Sequence, residues 1–153
     1  MLEIWTSRYQ NRSLVERPEL LKLGVTRGLP KMALRYRFMH TPQLAPPYWL
    51  FSVNDRVVFE PKFRAHLQRS LGVAGALTML RRATQEAERR AVVLLCYEDV
   101  RQPEEWCHRL VVSDWLAAGI RHLEVGSVRV RGELPDPSSP RPLRGAARME
   151  AGR

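Results

Sequence analysis

Residues 91–125 read AVVLLCYEDVRQPEEWCHRLVVSDWLAAGIRHLEV, and this stretch decides the fold class. Ala91–Cys96 is a continuous aliphatic and β-branched run of strand length, the pattern of a strand covered on both faces. Glu104–Ala118 then reads as a helix. Pro103 suits its start, and Glu104 and Glu105 complement the positive end of the helix dipole. Gly119 serves as a stop signal, and Ile120–Val125 returns as a strand. Strand, helix and strand in this order make a βαβ unit, so the two strands are parallel with a right-handed crossover.

Upstream, Phe59, Phe63, Leu67 and Leu71 recur every fourth residue behind Pro61, which predicts a helix with a tolerated proline in its first turn. Ala76, Leu77, Leu80, Ala83 and Ala87 form a second stripe after a break at Gly72 and Gly75. Leu2–Thr6 alternates apolar and polar residues as a short first strand. Leu20–Val25 is a second, closed by the stiff Thr26-Arg27-Gly28-Leu29-Pro30 loop. The prolines at 42, 46 and 47 argue against a regular helix between Met32 and Tyr48. Val128–Arg131 suits an edge strand. The expected architecture is one three-layer α/β domain over residues 1–134, with a mainly parallel sheet of four or five strands and flanking helices. Residues 135–153, rich in proline and arginine, read as a basic flexible tail.

At 153 residues the chain fits one core. Apolar runs such as Ala91–Leu95 fall far short of the ~20 residues that cross a bilayer, so no membrane role is expected. Two cysteines make no disulfide framework, and the N-terminus lacks the basic and small-residue pattern of a signal peptide; both predict a cytoplasmic, reducing location. The formal charge is +9, from 25 Lys and Arg against 16 Asp and Glu. From Arg129 onward there are six arginines against three acidic residues, so the excess is spread along the chain. That distribution suits a solvated surface better than a contiguous phosphate-binding face. Nucleic acid therefore stands second among the expected partners, behind a small anionic ligand or nucleotide.

Parallel sheets bind ligands beyond the carboxyl ends of their strands. That rule selects Cys96 and Glu98 after one strand, Thr26, Arg27 and Gly28 after another, and Thr6 and Ser7 after the first. Cys107, His108 and Arg109 join them through the helix that follows Cys96. A Thr-Arg-Gly turn can present a guanidinium and amides to phosphate or carboxylate. For the cysteines several chemistries compete. A thiolate nucleophile needs a neighbouring base or cation, which His108 and Arg109 supply. Residues 107 and 109 cannot both face one narrow pocket on a regular helix. Cys107 is placed beyond the first turn, where the dipole has faded. Tetrahedral zinc would accept Cys96, Glu98, Cys107 and His108, although adjacent Cys-His is an unusual ligand pair, and no metal ligands are assigned. A regulatory Cys96–Cys107 disulfide and plainly buried thiols complete the alternatives. In a reducing location both thiols are expected free. No cofactor is named by any motif.

The blocks Trp5-Thr6-Ser7, Val25-Thr26-Arg27-Gly28-Leu29-Pro30, Leu44-Ala45-Pro46 and above all LLCYE…CHR at 94–98 and 107–109 resemble the uncharacterised family known as domain of unknown function 488. The resemblance covers most of residues 2–125 and leaves the tail outside. It implies a small α/β domain with a paired-cysteine motif and no settled activity. The motif maps onto Cys96, Glu98, Cys107, His108 and Arg109. The function these readings support is an enzyme-like domain holding a small or nucleotide-type anion. The alternatives are a nucleic-acid- or protein-binding accessory and a cysteine-based redox or metal sensor.

Overall fold

Five parallel strands form one sheet: Leu2–Arg8 (β1), Leu20–Gly24 (β2), Met39–His40 (β3), Ala91–Cys96 (β4) and Val128–Glu133 (β5), in the order β3-β2-β4-β1-β5. The computed structural model describes residues 1–102 and 104–138. Every residue of β4 is buried, as its unbroken apolar run requires of a central strand. Val92 and Leu94 face a core built by Arg56–Ser70 (α1), Gly72–Glu86 (α2) and His108–His122 (α3). Ala91, Val93 and Leu95 face the other side, where a short 3₁₀ turn at Arg12–Glu16 and the Leu34–Phe38 segment supply the third layer. The single α/β domain with a parallel sheet is therefore as the sequence predicts.

The strand order creates a crevice. After β2 the chain crosses to β3 through Leu34–Phe38 on one face; after β4 it crosses through α3 to β5 on the other. Connections that diverge from adjacent strands leave an opening between their carboxyl ends.

Several boundaries differ from expectation. The helix after β4 begins at His108 and not at Glu104, with Cys107 in the extended N-cap position (φ −138°, ψ 146°). Trp106 packs edge-on against Phe59 at 4.9 Å, so the residues before the helix run along the crevice instead of coiling. Pro103, expected at the helix start, lies outside the described residues. Gly119 does not stop the helix. A Cβ there would lie 2.4 Å from a Val73 methyl, so the missing side chain lets α3 approach α2. The chain turns instead at Glu124, in the left-handed region at φ 54°. Residues 120–122 accordingly belong to α3 and the strand expected at Ile120–Val125 does not form; the edge strand expected at Val128–Arg131 is β5 and closes the βαβ unit. The first long helix starts at Arg56, capped by the Asp55 carboxylate accepting from the Val57 amide at 2.9 Å, which moves Pro61 into the second turn.

Pro135–Ser138, assigned to the tail, are held against the domain: the Arg8 Nε donates to Asp136 at 2.6 Å, and the Asn11 amide donates to the Pro135 carbonyl at 3.1 Å. The rest of the tail lies outside the described residues.

Candidate functional site

The crevice is a cleft of about 380 Å³, within the usual size of small-molecule sites. Thr26, Arg27 and Gly28 line it from the end of β2, Cys96 and Glu98 from the end of β4, and Cys107 and His108 from the start of α3. Seven of the residues singled out from sequence thus converge on one space. Leu50, Phe51, Phe59 and Trp106 add an apolar wall, and Glu104 and Glu105 stand at its edge.

The floor is a cluster of reactive donors. Cys96 Sγ lies 3.2 Å from Glu98 Oε2 and 3.5 Å from His108 Nδ1, and Cys107 Sγ lies 3.9 Å from the same nitrogen. The metal-ligating atoms of Cys96, Cys107 and His108 all fall within 4.8 Å of one another. Both cysteines are free thiols and both are buried. The far nitrogen of His108, Nε2, meets the Val25 carbonyl. A carbonyl only accepts, so Nε2 carries the proton and donates, and the ring is locked with Nδ1 facing the sulfurs. Phe63 packs edge-on against the ring from α1 at 6.0 Å.

The helix start changes the electrostatics of Cys107. At the N-cap it stands at the positive end of a 15-residue helix, where a thiolate is favoured, and not beyond the reach of the dipole. Burial opposes its ionisation, but the Cys96 hydrogen bond and the adjacent His108 and Arg109 outweigh burial and hold this thiol well below its ordinary range. Burial pushes the Cys96 thiol well up, with Cys107 and Glu98 adding to the effect. Glu98 is raised by burial and by Cys107. His108 is raised because Cys107 overcomes the burial that disfavours its cation. In the ion-free cluster both shifts run the same way, each group favouring the charged form of the other.

Three residues selected from sequence do not line the cleft. Arg109 is fully buried behind it: its Nε and Nη2 donate to the Glu133 carboxylate at 3.2 and 2.6 Å, and its Nη1 donates to the Glu98 carbonyl at 2.9 Å. Thr6 donates to the same Glu133 carboxylate at 2.6 Å. Thr6, Glu133 and Arg109 thus form a chain that fixes the backbone of Glu98 without reaching the cleft. Ser7 faces the opposite side of the sheet, accepting from the Asn11 amide at 2.9 Å. Cys107 lines the cleft and Arg109 does not, although Cys107 is an extended N-cap and the two are not related by regular helical spacing.

At the β2 end, Thr26 donates to the Gly28 carbonyl at 2.7 Å and accepts from the Tyr9 hydroxyl at 2.8 Å, so its role is to shape the loop. Tyr9 in turn needs the glycine at 24, where a Cβ would lie 2.4 Å from its hydroxyl. The Arg27 Nε donates to the Pro46 carbonyl at 2.9 Å, and its guanidinium sits 5.7 Å from the Tyr48 ring centre. Among the lining residues Arg27 contributes the guanidinium, and Glu98, Glu104 and Glu105 contribute carboxylates.

Sequence reasoning missed Val25, whose contribution is a backbone carbonyl and carries no side-chain signal. It also missed Glu133, visible only as a carboxylate at the end of an edge strand.

The family model described as Domain of unknown function DUF488 matches residues 8–116. The chain belongs to this family. The matched span carries the whole cysteine–histidine cluster and both loops of the cleft, while β5 and Glu133 fall outside it. No curated protein and no solved structure matches the chain. Among the described residues, no helix is long and apolar enough to cross a membrane.

Proposed function

We propose that this DUF488 domain is enzyme-like: it takes a small molecule bearing an anionic group into the cleft and acts on it with the Cys96–Cys107–His108 cluster. The observation that carries this reading is convergence. Loops from two neighbouring strands and one helix start bring two sulfurs and an oriented imidazole to the floor of a ligand-sized space.

The charges define the ligand further. Three carboxylates repel a polyanion, so a negative group finds its place only beside Arg27. The rest of the ligand lies along Phe51, Phe59 and Trp106, which suits a compact apolar or aromatic body. Nucleoside monophosphates fall within this class; long nucleic acids do not fit it.

Titration calorimetry with phosphate- and carboxylate-bearing small molecules, nucleotides included, tests the reading. Arg27→Ala should weaken the best ligand about ten-fold, the value of one charge-assisted contact, with the far-UV circular dichroism unchanged. An intact protein that binds none of these molecules overturns the proposal. Salt-sensitive binding of DNA or RNA that survives Arg27→Ala but is lost on deleting residues 139–153 would also overturn it, in favour of an accessory role.

A further inference from the structure

We infer that Cys96, Cys107 and His108 form a binding site for a thiophilic divalent ion, zinc in class, with a fourth position open to the cleft. This deepens the function proposed above and rests on that reading only for what occupies the fourth position.

Zinc holds sulfur at about 2.3 Å and imidazole nitrogen at about 2.0–2.1 Å. Two such donors at the tetrahedral angle stand about 3.5 Å apart. The two sulfur-to-Nδ1 separations are 3.5 and 3.9 Å, so both sulfur–nitrogen edges are already near tetrahedral length, and the two sulfurs lie within 4.8 Å of each other. The imidazole is already turned to suit an ion, because Nε2 donates to the Val25 carbonyl and leaves Nδ1 as the ligating atom. An outer hydrogen bond of this kind regularly fixes a metal-bound histidine. The three donors come from a strand end and a helix start that other contacts hold in place, so little chain ordering is left for the ion to accomplish. Cys107 and His108 adjoin in sequence, but the first is an extended N-cap and the second opens the helix; the change of backbone conformation between them lets neighbouring residues converge.

Two sulfurs and one imidazole make three protein ligands, the number typical of zinc sites that keep a position for water or substrate. All three residues line the cleft, so that position faces the ligand space. Glu98, 3.2 Å from Cys96 Sγ, stands beside it as a proton acceptor for a molecule bound there.

The full-length protein, prepared without chelator from zinc-supplemented cells, should carry about one zinc per chain by elemental analysis. Replacement by cobalt should give the sulfur-to-metal charge-transfer absorption of thiolate ligation. Cys96→Ser, Cys107→Ser and His108→Ala should each reduce the ion to background, while Glu98→Gln keeps it. The bound ion should also protect both thiols from iodoacetamide, and chelation should remove that protection. The cobalt spectrum of the intact protein keeps the test decisive if a variant fails to fold. No uptake from excess zinc or cobalt, or thiol labelling at the same rate with and without the ion, overturns the site. Loss of the ion in Glu98→Gln overturns the open fourth position. An ion-free protein that still binds a small anion through Arg27 would defeat this inference and leave the proposed cleft standing; one zinc per chain without any ligand affinity would do the reverse.

Discussion

Two groups of polar side chains share the carboxyl-terminal edge of the sheet, and they are built on opposite plans. Beyond β1, Arg8 meets Asp136 at 2.6 Å and Asp99 at 3.7 Å, while Arg101 meets Asp99 at 2.7 Å and Asp136 at 3.6 Å. Two cations and two anions alternate, each satisfied by the others. The Arg109–Glu133 pair follows the same plan deeper in the fold. Beyond β4 and β2, the cleft gathers two sulfurs, a carboxylate and an imidazole around one point. Matched charges hold segments of chain together; like donors pointed at a common centre are arranged for something that enters. Perturbed ionisation alone does not separate the two plans, since Asp99 and Cys107 are both shifted downward.

The largest test of that contrast is Arg109. If it belongs to the matched group, Arg109→Ala leaves a partly buried carboxylate without its cation and should destabilise the fold by about 3–5 kcal/mol, measured by urea unfolding. Loss of ligand or ion binding with stability almost unchanged would move Arg109 into the working site and break the comparison.

Asp99 gives a smaller and pH-dependent effect. Hydrogen bonds from Arg101 hold its carboxyl down to about 2, from an ordinary 3.8, against the opposing effect of burial. A depressed carboxyl stabilises the fold fully above its unfolded value, and that contribution is lost as pH falls through the folded one. Stability should therefore decline between about pH 4 and pH 2, and Asp99→Asn should flatten that decline without altering the ion content of the cleft. An undiminished acid slope in Asp99→Asn, followed by urea midpoints across this range, would show that the cluster is not what titrates.

The sheet was legible because its central strand is an unbroken apolar run, and burial on both faces leaves few other uses for such a sequence. The site was legible as a place, since strand ends in a parallel sheet are few. Its membership was less so. Arg109 and Thr6 lie at the right positions along the chain, but their side chains turn toward Glu133, a partner on β5 that no local pattern connects to them. The helix boundary misled for a different reason. Glu104 and Glu105 have first-turn character, yet packing of Trp106 on Phe59 overrides that local preference and delays the helix to His108. Gly119 misled in the same way, because a glycine that ends a helix and one that admits a neighbouring helix look alike in sequence.

The delayed helix has a cost of its own. Cys107 occupies the position where serine, threonine, aspartate or asparagine would close the exposed amides, and its side chain makes no capping bond. The domain thus forgoes local stability to place a sulfur at the mouth of the helix. Cys107→Ser should reverse the exchange: in ion-free protein the melting temperature should rise, by the equivalent of about 0.5–1 kcal/mol for a restored cap, while the thiol function disappears. A variant more robust than its parent and chemically inert would mark residue 107 as a place where folding and function pull in opposite directions; a lower melting temperature would show that the sulfur also carries weight in packing.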